Sequence, residues 1–234
     1  MMNITKSNDR GETGTYWLKS FHSFSFGEYY DPRNMGFGPL RVINEDVVRA
    51  GTGFDTHPHA NMEIMTYVLE GSLEHKDSLG NGDIIRPGDV QLMSAGKGIL
   101  HSEKNPSETD DVHLLQIWIM PNVAGTAPGY QQTTFNPAEM QNALRLVVSP
   151  DGENGSLVIK QDAKLWVARM DAGASVSLEM KPDRKYWFQM ARGTAEVLGK
   201  TLAQGDALGL DNEPGKADIK ATEKSELLVF ELPR

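Results

Sequence analysis

From Val47 to Met120 short apolar runs alternate with turn residues at a spacing of about 8–12 positions, the rhythm of a β-sandwich or small barrel. Ile64-Met-Thr-Tyr-Val-Leu69 is apolar and partly β-branched, ends at Gly71, and continues as Ser72-Leu-Glu-His75 into a turn over Asp77–Gly82. Asp83–Arg86 leads to the tight turn Pro87-Gly88-Asp89, then Val90–Met93, and the long run Leu114–Met120 stops at Pro121. Apolar alternation has to face inward, so these strands predict a small closed barrel. Upstream, Phe24 and Phe26 alternate with serine as on a strand with one buried face. The aromatics of residues 1–40 are expected to pack on the barrel exterior or close its end, a substrate lid being the other reading.

The pattern changes over residues 121–150, which read as a linker with one short helix at Asn136–Asn142. Asn136 is the N-cap candidate there, Pro137 stands at the first helical position, and an acid lies in the first turn. Beyond it the first half is repeated. Ala50-Gly51 is matched by Ala172-Gly173, 122 positions on, and Gly88-Asp89 by Gly205-Asp206, 117 positions on. Three parts are therefore expected: an N-terminal barrel over 1–120, a linker over 121–150 and a C-terminal barrel over 151–234.

Composition narrows the setting. In 234 residues, 23 glycines and 12 prolines suit a turn-rich β fold, and 39 % hydrophobic content is enough for packed cores. The absence of cysteine excludes disulfides and iron–sulfur clusters. Met1–Arg10 holds no apolar run, and nowhere do eighteen apolar residues follow one another, so we expect a soluble cytoplasmic chain without a membrane partner. A formal charge of −9, spread along the chain, makes a duplex nucleic-acid surface improbable.

Chemistry enters at His57-Pro-His59 and His101-Ser-Glu103. Side chains at i and i+2 of a strand share a face, so two strands can present three imidazoles and one carboxylate together. Such a set suits a first-row divalent ion and leaves coordination positions open on an octahedral one, which points to catalysis. Without cysteine, a closed structural zinc site is disfavoured. His22, His75 and His113 do not pair at ligand spacing with one another and are assigned surface or supporting roles, and Lys97 a solvated turn. The repeat offsets put Glu179 and Lys181 opposite His57 and His59, and Asp218 and Lys220 opposite His101 and Glu103. Lysine repels a divalent ion, so one metal per chain is expected, in the N-terminal barrel.

The run from Gly51 through His57, His59 and Glu63 to Gly71 resembles the first cupin motif, with the glutamate shifted by one residue. Gly88-Asp89-Val-Gln-Leu-Met-Ser-Ala-Gly96-Lys-Gly98-Ile-Leu-His101-Ser-Glu103 resembles the second in its pirin form, and Phe24–Pro32 with Met35–Asp46 is similar to bacterial pirins of the quercetinase type. The resemblance spans the chain. It implies an all-β bicupin with one metal centre held by His57, His59, His101 and Glu103. It further implies cleavage of flavonols such as quercetin with dioxygen, the base that takes the acidic 3-hydroxyl proton being Glu103 or Glu63. Iron(II) is the first choice of ion, with manganese, nickel, cobalt, copper or zinc as alternatives, and a monomer is expected. The rival implication is a metal-dependent redox sensor or transcriptional co-regulator that binds a protein partner.

Overall fold

The apolar runs become strands because each has one face that only a core can satisfy. A computed structural model describes residues 1–234. Its first twelve strands are β1 (Met2–Thr5), β2 (Gly11–Gly14), β3 (Leu18–His22), β4 (Leu40–Val48), β5 (Gly53–His59), β6 (Glu63–Glu70), β7 (Leu73–Asp77), β8 (Gly82–Ile85), β9 (Asp89–Ser94), β10 (Ile99–Lys104), β11 (Val112–Ile119) and β12 (Gly129–Thr134). After the single α-turn α1 (Pro137–Met140) come β13 (Arg145–Ser149), β14 (Leu157–Val158), β15 (Lys164–Met170), β16 (Ser175–Met180), β17 (Arg184–Arg192), β18 (Thr194–Val197), β19 (Lys200–Ala203), β20 (Ala207–Asp211), β21 (Gly215–Ala221) and β22 (Ser225–Pro233). No helix is long and apolar enough to cross a membrane.

Contacts divide the chain into two units, one of residues 11–135 with 159–161, the other of residues 1–10, 136–158 and 162–234. The first unit packs a seven-stranded sheet, ordered β12-β9-β6-β11-β4-β3-β2, on a four-stranded sheet ordered β5-β10-β7-β8. Val48, Val68, Val112 and Leu114 from the large sheet meet Leu73 and Ile85 from the small one in a buried cluster. The second unit has the same plan, with β1-β20-β17-β22-β15-β13-β14 and β16-β21-β18-β19. The two-barrel, all-β reading is thus the architecture observed. α1 starts as its cap predicts, the Asn136 side chain accepting from Ala138 N at 3.0 Å, and ends where Gln141 turns extended.

Three local expectations change. Phe24–Phe26 is not a strand: Gly27 and Gly38 take left-handed φ of 56° and 59°, two tight turns follow, and Ser25 is as buried as Phe24. The stretch 121–150 carries more than a helix, since Gly129–Thr134 pairs with β9 along its whole length. Its polar composition, Tyr-Gln-Gln-Thr-Thr, conceals an edge strand that owes its order to ladder hydrogen bonds rather than to an apolar face.

The third correction is one of parity. β16 and β21 sit where the repeat offsets put them, but Glu179, Asp218 and Lys220 lie outward and exposed. Their neighbours Leu178, Met180, Ala217 and Ile219 fill the interior instead. In the first unit β5 and β10 shift register between His101 and Glu103, an irregularity that β16 and β21 lack. The inward-facing positions of β16 and β21 are thus occupied by apolar core, and the residues at the offset positions point outward.

Candidate metal centre

The small sheet of the first unit assembles the site. β10 is flanked by β5 and β7, and its register sets His101 opposite both His57 on one side and Asp77 on the other. Beyond the register shift Glu103 lies opposite Phe54 and His75. Gly53 permits this approach: a Cβ there would stand 2.3 Å from the Glu103 carbonyl oxygen. Alternation then turns His57, His59, His101 and Glu103 inward while Pro58 and Leu100 face out.

His57, His59 and His101 converge, with ring centroids 4.8, 4.5 and 4.9 Å apart pairwise and one nitrogen of each within 4.8 Å of the others. A second group with the same spacing joins Glu103 to His101 and His75, so His101 belongs to both. His57 donates from Nδ1 to the Asp55 carbonyl at 2.7 Å, which leaves its Nε2 lone pair free. His59 stands edge-on to Trp118. Burial, then the neighbouring imidazole of His57, pushes His59 down to about 4. Burial followed by the His57, His59 and His75 rings pushes His101 down to about 3. Both are neutral at pH 7, as ligation requires. The Nε2 of His101 is buried with no hydrogen-bond partner. An orphaned imidazole nitrogen beside two others is what an ion would satisfy.

Glu103 is 3 % exposed and rigidly held. Gln116 Nε2 donates to its two oxygens at 3.1 and 2.8 Å, and Thr66 Oγ donates to Oε1 at 3.1 Å. Glu63 goes elsewhere. It is 1 % exposed, accepts from Ser94 Oγ at 2.8 Å and from Lys160 N at 3.2 Å, and does not line the cavity beside the histidines. Burial raises its pKa.

That cavity has a volume of about 650 Å³. His57, His59 and Glu103 form one part of its wall, Trp17, Phe26, Phe54 and Trp118 an aromatic part, and Ser20, His22, Asn44, Asp46 and Gln116 a polar part. Of the aromatics in residues 1–40, Tyr16, Trp17 and Phe26 thus reach the cavity, Tyr16 while 84 % exposed. His22 is buried, bonded to Thr13 Oγ at 2.7 Å and to Asn44 Oδ1 at 2.8 Å. His113 pairs with Glu45 at 2.9 Å and lies outside the cavity. Burial, with the charges of Glu103 and Glu45 adding to it, raises Asp46 to about 7 against the 2.5 Å hydrogen bond from Ser20.

Sequence reasoning passed over Asp77, Gln116 and Asp46, and gave His75 only a surface or supporting role. His75-Lys-Asp77 has the i, i+2 spacing of the two chosen pairs, and that was the usable signal. Gln116 and Asp46 belong to apolar-looking strands and carry no motif.

Comparison with known proteins places this geometry in a family. Residues 4–119 match Pirin, and residues 146–232 match the quercetinase C-terminal cupin domain. The quercetin 2,3-dioxygenase of Escherichia coli (strain K12) is 45 % identical over 233 residues, covering 100 % of this chain and 99 % of the relative. Among solved structures, the bacterial pirin YhhW of Escherichia coli in complex with nickel(II) superposes with a TM-score of 0.94 at 45 % identity, covering 100 % of this chain and 99 % of that one. The Escherichia coli protein YhaK reaches a TM-score of 0.76 at 28 % identity, covering 90 % and 92 %. With its two cupin units and with relatives this similar over its entire length, the chain belongs to the pirin family.

Proposed function

We propose that this chain is a metal-dependent dioxygenase that opens the central ring of flavonols such as quercetin with dioxygen. The observation that carries the reading is the buried, unpartnered Nε2 of His101 next to His57 and His59, two residues that line a cavity of about 650 Å³. The names of the full-length relatives support it. His57, His59, His101 and Glu103 would hold one divalent ion, iron(II) in our first choice, with manganese, nickel, cobalt, copper or zinc able to use the same donors. Bound there, the ion would supply Lewis acidity and orientation for an anionic substrate oxygen and for dioxygen.

The chain's own residues do the rest. Trp17, Phe26, Phe54 and Trp118 offer flat apolar surface of the kind a fused aromatic ring system buries, and the volume falls in the range of small-molecule sites. Glu103 is the cavity-facing carboxylate of the ligand set, and we assign it the 3-hydroxyl proton: the substrate O–H bond breaks as an O–H bond forms on Glu103. Gln116 and Thr66 hold that carboxylate at a fixed angle, so orientation is settled before substrate arrives. Glu63, shut away behind Ser94, takes no part. A cavity of substrate size with an exposed aromatic at its rim supports an enzyme rather than a metal-switched docking surface.

The test is oxygen uptake with quercetin, followed together with loss of its visible absorbance, for protein loaded anaerobically with iron(II) and for metal-stripped protein. Saturable uptake by the loaded protein alone is expected. No uptake at full metal occupancy would overturn the reading.

A further inference from the structure

Three strand-spaced pairs lie side by side on β5, β10 and β7: His57 and His59, His101 and Glu103, His75 and Asp77. The third pair has no place in the ligand set described above, yet the side chains of His75 and Asp77 are both 0 % exposed. A buried acid and a buried imidazole on the strand next to His101 call for a role.

Their hydrogen bonds run in one line. Asp77 Oδ2 lies 3.3 Å from His75 Nε2, and His75 Nδ1 lies 3.4 Å from His101 Nδ1. Asp77 is itself immobilised by Asn81 Nδ2 at 2.9 Å to Oδ2 and by the Leu79 and Asn81 amides at 2.9 and 3.1 Å to Oδ1. Tyr130 stacks on the His75 ring at 4.8 Å and fixes its plane. A carboxylate can only accept, so His75 Nε2 must donate to Asp77. Neutral His75 then has only a lone pair on Nδ1, and His101 Nδ1 must donate to it. The proton of His101 is thereby held on Nδ1, and Nε2, the atom without a partner, carries the lone pair. The opposite arrangement would put an N–H on that buried Nε2 with nothing to accept it.

We infer that Asp77 and His75 are positioning residues that lock His101 in its Nδ1–H tautomer and so keep Nε2 open for the ion. The inference rests on the metal centre proposed above. His75 is not itself a ligand, because both of its nitrogens are engaged, although its spacing to His101 and Glu103 would allow it. Metal-bound imidazoles commonly donate their second N–H to such a partner, and loss of the partner weakens binding by about 10–100-fold.

The experiment uses full-length, metal-stripped protein with ¹⁵N-labelled histidine and reads the tautomer of each ring from long-range ¹H–¹⁵N correlations. Unaltered protein should show His101 protonated at Nδ1. In His75→Phe the proton should redistribute to Nε2, and cobalt(II) affinity should fall about 10–100-fold. Asp77→Asn, which preserves the ring packing, should shift both readouts in the same direction by less, and it decides the matter should His75→Phe fail to fold. An Nε2–H tautomer in the unaltered protein would overturn the inference. So would unchanged tautomer and affinity in the variants, or a loss of cobalt in His75→Phe as complete as in His101→Ala, which would make His75 a ligand. Neither readout needs turnover, so a failure of flavonol oxidation and a failure of this inference are separate results.

Discussion

At the scale of single residues, the site depends on groups that have exchanged water for specific partners. His101 is 2 % exposed and is the imidazole that adjoins both the His57–His59 pair and Glu103, so His101→Ala should abolish stoichiometric metal binding and oxygenase activity, as metal analysis and oxygen uptake would read. Gln116→Leu removes two hydrogen bonds from a buried carboxylate, at a cost of about 1–3 kcal/mol in stability, and should lower turnover more than it lowers metal occupancy. Denaturant midpoints and single-turnover rates check the two parts. Asp46 predicts a pH dependence. Its folded pKa, raised to about 7, exceeds the unfolded value of about 3.9, so the folded state binds the proton more tightly. Stability from this group is present in full below pH ~4 and is lost as pH rises to about 7, by up to ~4 kcal/mol. Asp46→Asn in metal-stripped protein should therefore be more stable than the parent at pH 8 in urea denaturation, with the advantage shrinking at pH 5. An equal difference at both values would contradict the assignment.

Among the elements, the close pairing of β5 with β10 is the critical contact. A methyl group at Gly53 would stand 2.3 Å from the Glu103 carbonyl, too near for any adjustment short of moving one strand. Gly53→Ala should displace His57 and Glu103 together and weaken metal binding by at least tenfold. Gly51→Ala is the control: φ is 68° there, but nothing lies within 4 Å of the added carbon, so the expected penalty is only the ~1 kcal/mol of left-handed strain. Equal loss of metal in both variants would mean that general strain, not the strand contact, is responsible.

For the molecule as a whole, the chain's first residues belong to the second unit. β1 pairs with β20, Lys6 reaches Asp206 at 2.8 Å, and the Ser7 amide donates to the same carboxylate at 2.7 Å. Asp206 is 3 % exposed, and these donors help to hold its carboxyl below the usual range despite burial. Deleting residues 2–7 should lower the thermal midpoint of the second unit and leave β20 open to intermolecular strand pairing, visible as concentration-dependent association in light scattering. Metal titration of the truncated chain should still reach one ion, because every proposed ligand lies within residues 11–135.

Sequence alone determined what depends on local period and on residue chemistry. The strands over 64–69, 90–93 and 114–120, the capped turn at Asn136, the duplicated halves and the pairs at 57/59 and 101/103 were all legible, since alternation fixes which side chains share a face. Tertiary structure decided what depends on which strand lies beside which. Only the order β5-β10-β7 makes His75 and Asp77 neighbours of His101, and only the packed fold decides that the face shared by His101 and Glu103 turns inward while the inward positions of the second unit fill with leucine, methionine and alanine. Gln116 and Thr66 reach Glu103 from 13 and 37 residues away. Glu63, close in sequence to both proposed ligand histidines on β5, faces away from the cavity. A strand's pattern states which of its faces is apolar, but not what the polar face will meet; that is set by long-range pairing, which leaves no mark at any one position.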